Sequence, residues 1–114
     1  MGMAELARRI QADEMLELPA WLWLQLVETD PEMFCLELEA WAAWPGPWPL
    51  LPRIGAPALV ILGEHEDPSG EAARAAGTLP GGQSLNVPDV GNTGVFLAVE
   101  EVLGVVAPFL QSTA

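Results

Sequence analysis

The sequence predicts an α/β fold whose first part is wholly helical. Three observations carry this. Residues Ala58-Leu59-Val60-Ile61-Leu62 form a continuous apolar run between Pro57 and Gly63. The run is short and β-branched at its centre, as strands buried on both faces are. From there the pattern reads strand, helix, strand, helix, an order that implies parallel pairing and layers of helix on sheet. Before it, Pro45, Pro47 and Pro49, with Pro52 just after, interrupt the chain, because proline lacks an N–H and cannot continue a helix. The 114 residues therefore divide into a helical segment 1–44, a linker 45–56 expected to be extended, and a β-α-β-α unit 57–114.

Taken in order, residues 3–12 read as a short helix with Met3, Leu6 and Ile10 on one side. Pro19 suits the first turn of a second helix, roughly 19–29. Its Trp21, Leu22, Trp23, Leu24, Leu26 and Val27 leave almost no polar face, which predicts a helix buried on all sides. Asp30-Pro31 reads as the N-cap and first residue of a third helix, about 31–44, with Glu32 near the positive end of its dipole. Phe34, Leu38 and Trp41 or Ala42 recur along it at helical spacing. After the 58–62 strand, residues 69–78 read as a helix capped by Ser69. Pro80-Gly81-Gly82 marks a turn, and 83–87 a strand in which Ser84 and Asn86 alternate with Leu85 and Val87. Residues 94–111 read as one closing helix, with Val95, Val99, Val102, Val106 and Leu110 on a common stripe.

Composition narrows the function. The net charge is −12, with four Arg and no Lys. A protein that neutralises phosphates needs a basic patch, so nucleic acid is excluded as a partner, and anionic membrane surfaces are disfavoured for the same reason. No apolar run is long enough to span a bilayer, and the first residues lack the apolar core of a signal peptide. A single cysteine, Cys35, rules out an internal disulfide framework. Together these point to an acidic cytoplasmic protein. Five Trp and the apolar runs represent more apolar surface than one small copy hides. Two parallel strands do not make an independently stable sheet. The sheet is therefore expected to be completed by a symmetric homodimer.

From Leu51 onward the chain resembles the α/β-hydrolase superfamily. Leu51-Pro-Arg-Ile-Gly-Ala-Pro-Ala-Leu-Val-Ile-Leu-Gly-Glu-His-Glu-Asp67-Pro68 is similar to that family's penultimate strand and following loop. The segment from Leu85 to Phe96, with Gly91-Asn92, looks like its last strand and the loop that carries the catalytic histidine. The ending Ala107-Pro108-Phe109-Leu110 matches the family's last helix, and residues 1–44 look like part of its cap. The resemblance implies that Asp67 is the triad acid. It also implies that Asn92 stands where the family has histidine, and an amide cannot serve as general base. The nucleophile elbow, Gly-x-Ser-x-Gly, does not occur in these 114 residues. In the family it lies upstream of the part matched, so the chain looks like a truncated hydrolase.

The candidate catalytic residues are accordingly Asp67, His65 and Cys35. His65, the only histidine, lies between Glu64 and Glu66 at a strand end, where α/β proteins bind ligands. It reads either as a relocated base supported by carboxylates or as a solvated loop residue. Glu64, His65, Glu66 and Asp67 have donor types that suit zinc, yet consecutive residues rarely converge on one ion. A site would need ligands from another segment, such as Asp89, or from another subunit, and no metal or other cofactor is assigned. Cys35, beside Phe34 and Leu36, reads as a nucleophile only with a positive neighbour or a helix dipole, and otherwise as a small buried hydrophobe. Ser69 and Ser84 lie in no elbow motif. Trp21, Trp23 and Trp41 read either as the lining of a pocket for a small apolar ligand or ester substrate, or as subunit interface. Three readings follow: hydrolysis of activated esters or phosphotriesters at a site of the chain's own, a non-catalytic dimeric module with an apolar Trp-lined pocket, or an inactive hydrolase fragment.

Overall fold

The structure, a computed structural model, describes residues 2–66 and 69–113. It is mixed α/β, mostly helical, with one two-stranded parallel sheet among the described residues. The chain divides into two units, Met1–Gly46 and Pro47–Ala114.

The first unit holds three helices, α1 (Met3–Glu14), α2 (Ala20–Glu28) and α3 (Pro31–Ala43). Met15 ends α1 in the left-handed conformation, and its N–H returns to Ala12 and Gln11. The Gln11 side chain then accepts the Leu18 N–H at 2.8 Å. This fixes the connection to α2 and seats Leu18, buried with Met3 and Ala7. Pro19 proves to be the N-cap of α2 rather than its first residue. Asp30 caps α3, accepting the Glu32 N–H at 2.9 Å, a contact worth about 1 kcal/mol.

The expectation that α2 is buried on all sides does not hold within the chain. Neither α2 nor α3 contains a buried residue, and Trp21 is 57% and Trp41 70% exposed. The reason is size: three short helices offer too little neighbouring surface to enclose helices that are apolar all round. Cys35, on α3, is likewise exposed rather than buried.

The second unit begins with turns, not an extended linker. Leu50 and Leu51 both donate N–H bonds to the Pro47 carbonyl. A 3-10 turn follows at Leu51–Arg53, and Leu51 is buried. Trp48 lies under the Arg74 guanidinium, 4.1 Å from its ring centre, a contact worth roughly 0.5–1 kcal/mol at a partly exposed site. Residues 47–54 are thus folded onto this unit.

Strands β1 (Ala58–Gly63) and β2 (Gly82–Val87) pair in parallel, with Ala58 opposite Gly82 and Gly63 opposite Val87. Helix α4 (Glu71–Thr78) is the crossover between them. Its N-cap is Gly70 at φ 74°, with no side-chain cap, so Ser69 does not cap it. The left-handed turn into the helix needs a residue without a Cβ and displaces the start by one position.

Strand alternation sorts the two faces. A Cβ at Gly82 would run into the Ala76 backbone and Leu79 of the α4 segment, so the Ala58, Val60 and Leu62 side faces α4. A Cβ at Gly63 would meet the carbonyl oxygens of Val90 and Gly91 and, at 2.9 Å, the Val95 side chain. The Leu59, Ile61 and Gly63 side therefore faces the C-terminal helices. On that face Val87 is the most enclosed residue, at 1% exposure.

The closing helix is two helices, α5 (Asn92–Leu97) and α6 (Val99–Ser112), with Ala98 at φ −81°, ψ 55° between them. The Ala98 N–H bonds to Gly94 and Val95, and its carbonyl accepts from Val102. Both helices use the junction as a cap, which keeps the break inexpensive. The stripe along α6 is only half-covered: no residue of α6 is buried.

Gly63 and Gly77 separate packing from propensity. Gly63→Ala is expected to destabilise the fold by about 1–3 kcal/mol, because its methyl group meets backbone that cannot rotate away. Gly77→Ala, in α4 with open space around it, should stabilise by roughly 0.5–1 kcal/mol. Urea denaturation of both variants checks the opposite signs.

Candidate functional site

Parallel pairing puts the C-terminal ends of β1 and β2 side by side, and the two following loops are knit together by backbone bonds. Glu64 N–H donates to Val87 O at 2.9 Å and His65 N–H to Val90 O at 3.1 Å, while Glu66 N–H returns to Gly63 O at 3.0 Å. Side chains complete the frame. Glu66 Oε2 accepts the Gly63 N–H at 2.7 Å, and Glu64 Oε2 accepts the Asp89 N–H at 2.7 Å across 25 residues of sequence. Asp89 sits at φ 60°, in the left-handed region that Asp and Asn enter more readily than most residues.

The result is a group the sequence only hinted at. One ligand-type atom from each of Glu64, His65 and Asp89 lies within 4.8 Å of the others, with all three residues exposed. Glu66, a candidate by position, does not join them, because its carboxylate is turned back to Gly63. Asp67, the expected triad acid, lies outside the described residues.

The same unit holds an apolar groove of about 300 Å3. Ile61 of β1, Val95 and Phe96 of α5, and Val99, Val102 and Leu103 of α6 line it, with Glu66 and Asn92 as its two polar residues. Asn92 is exposed and is the first residue of α5, just after the extended Gly91. At this position its amide offers N–H donors and a carbonyl acceptor to the groove, but no titrating base. The sequence marked these residues only as a helical stripe, and spacing alone does not say whether such a stripe is covered. The signal was there in Phe96, which falls off that stripe and is 76% exposed.

The first unit has its own cavity, about 280 Å3, lined by Gly2, Met3, Leu6, Pro31, Phe34, Cys35 and Leu38. None of these residues is basic. Trp21, Trp23 and Trp41 line neither cavity. Trp41 instead meets Trp44 edge-to-face, ring centres 5.8 Å apart.

No helix among the described residues is long and apolar enough to cross a membrane. Among known proteins, no family model, no curated protein and no solved structure matches the chain. The resemblance to α/β-hydrolases therefore rests on the residues quoted above.

Exposure makes Cys35 a direct check on the first unit. A thiol reagent such as Ellman's is expected to titrate one thiol per chain without denaturant, with little acceleration in guanidinium. A thiol that reacts only after unfolding would mean that α3 is covered.

Proposed function

We propose that this chain is the C-terminal portion of an α/β-hydrolase-like protein, and that it hydrolyses activated esters or phosphotriesters at the carboxyl edge of its sheet. The observation that carries the reading is adjacency. Glu66 and Asn92, the two polar residues of the groove, stand within a few residues of Glu64, His65 and Asp89, whose ligand-type atoms converge. In this reading the apolar acyl or aryl part of the substrate occupies the groove between β1, α5 and α6. An Asn92 amide N–H donates to the carbonyl or phosphoryl oxygen, where negative charge develops. The Glu64, His65 and Asp89 group orients and polarises the attacking water. Water adds to the carbonyl carbon, the bond to the aryloxy group breaks, the aryloxide leaves, and the proton goes to solvent. Asp67 keeps only the position of the family's triad acid, since Asn92 gives it no histidine to support. Cys35 has no part in the reaction.

Purified protein is expected to release p-nitrophenol from its esters faster than buffer does. His65→Ala and Asp89→Asn should each lower kcat/KM about 100-fold, the low end of what positioned acid–base groups contribute. Phe96→Ala should raise KM, and Cys35→Ala should leave turnover unchanged. Wild-type rates in both His65→Ala and Asp89→Asn would sink the hydrolytic reading.

A second reading, a dimeric module without catalysis, is favoured by the exposure of Trp21, Leu24, Leu36, Trp41 and Trp44. Apolar residues this concentrated on one small unit mark interaction surfaces. In this reading two copies bury those helices against one another and complete the sheet symmetrically. Sedimentation should show a dimer, and Trp41→Glu should shift it toward monomer. A monomer at all concentrations would remove the dimer from the proposal.

A further inference from the structure

We infer that Glu64, His65 and Asp89 form a binding site for a divalent transition-metal ion of the zinc class. The three donors are one imidazole nitrogen and two carboxylate oxygens, drawn from two loops 25 residues apart. Convergence of separate segments is what consecutive residues alone lack, and here the parallel register supplies it. Around a tetrahedral ion with bonds of about 2.0–2.2 Å, donor atoms stand roughly 3.3–3.6 Å apart. The observed group, within 4.8 Å, would have to draw slightly closer to reach that spacing.

The backbone is already held. The Glu64 N–H is tied to Val87 at the end of β2 and the His65 N–H to Val90 in the loop after it, and the Asp89 N–H is tied to Glu64. A carboxylate that accepts one N–H bond still has lone pairs for an ion.

The donor set also decides the class of ion. Calcium and magnesium take six or more oxygens, whereas imidazole with carboxylate suits zinc and its neighbours. Three protein ligands leave a coordination position for water, the arrangement of catalytic rather than structural zinc sites. A net charge of −12 raises the local concentration of any cation. The inference deepens the hydrolytic reading by naming what would polarise the water there, and it is measured without substrate.

The test is calorimetric titration of the full chain with ZnCl2, repeated with Co2+ as a spectroscopic probe. One ion per chain is expected. Cobalt should show the intense visible absorption of four-coordination instead of the weak bands of the hydrated ion. His65→Ala and Asp89→Asn should each weaken zinc binding by about 100-fold, at least the cost of disturbing a supporting contact. Asn keeps the left-handed backbone of position 89, so its loss of binding would not reflect misfolding. Glu66→Gln, which leaves the three donors intact, should bind as wild type does. Absence of one-to-one binding, or wild-type affinity in both His65→Ala and Asp89→Asn, would overturn the site. Tight binding with no ester turnover would instead remove the hydrolytic reading and leave the metal site standing.

Discussion

The parallel pairing of β1 with β2 is the contact on which the rest of the second unit depends. A parallel pair is held less strongly per residue than an antiparallel one, and it persists where helices cover both faces. Here α4 covers one face and the α5–α6 segment the other. Gly82 and Gly63 permit close approach, each lacking the Cβ that would collide with the backbone at Ala76 or at Val90 and Gly91. The register has a chemical consequence. With Gly63 opposite Val87, the next residues of both loops must meet, and Glu64 reaches the backbone of Asp89. A slip of one residue would reverse which side chains face the helices and carry His65 away from Asp89.

Much of this was legible because strand and cap signals are local. The run at 58–62 between Pro57 and Gly63, and the alternation at 83–87, are patterns a few residues long, and both became strands. Asp30-Pro31 held because an N-cap followed by proline satisfies its helix end regardless of surroundings. The misreadings all concern choices made by packing. Ala98 is a good helix former, so nothing at that position announces a break between α5 and α6. Ser69 is a good cap, but Gly70, a residue later, takes the left-handed turn instead. The burial expected of α2 came from its composition, which describes what a helix would gain from cover and not whether the chain provides it.

The candidate site was legible in its parts and not in its assembly. His65 stood out as the only imidazole, and Asp89 was recognised as a segment able to meet it. Their convergence follows from a register that no single motif encodes. The two roles of Glu66, holding Gly63 and facing the groove, needed the turn at 64–66 to be built first. The tryptophans show the reverse case. Their abundance suggested a lined pocket, yet Trp21, Trp23 and Trp41 line neither cavity, while Trp48 holds the start of the second unit beneath Arg74.

Charge and apolar exposure pull in opposite directions across this chain, and the balance bears on both functional proposals. Like charges at −12 oppose the approach of two copies over a Debye length of about 8–10 Å at ordinary salt. Apolar burial is short-ranged and scales with the area removed from water, at roughly 25 cal/mol per Å2. A dimer would therefore have to form through the faces where carboxylates are sparse, such as the Trp-Leu-Trp-Leu stretch at 21–24. The acidic loops at the sheet edge would stay in solvent. That partition separates the two surfaces by chemistry: the apolar helices suit a second copy, and the Glu64, His65 and Asp89 edge suits a cation or a polar reacting group. Neither surface has to be given up for the other to work, which is why a dimer and a reactive edge are compatible in one small chain.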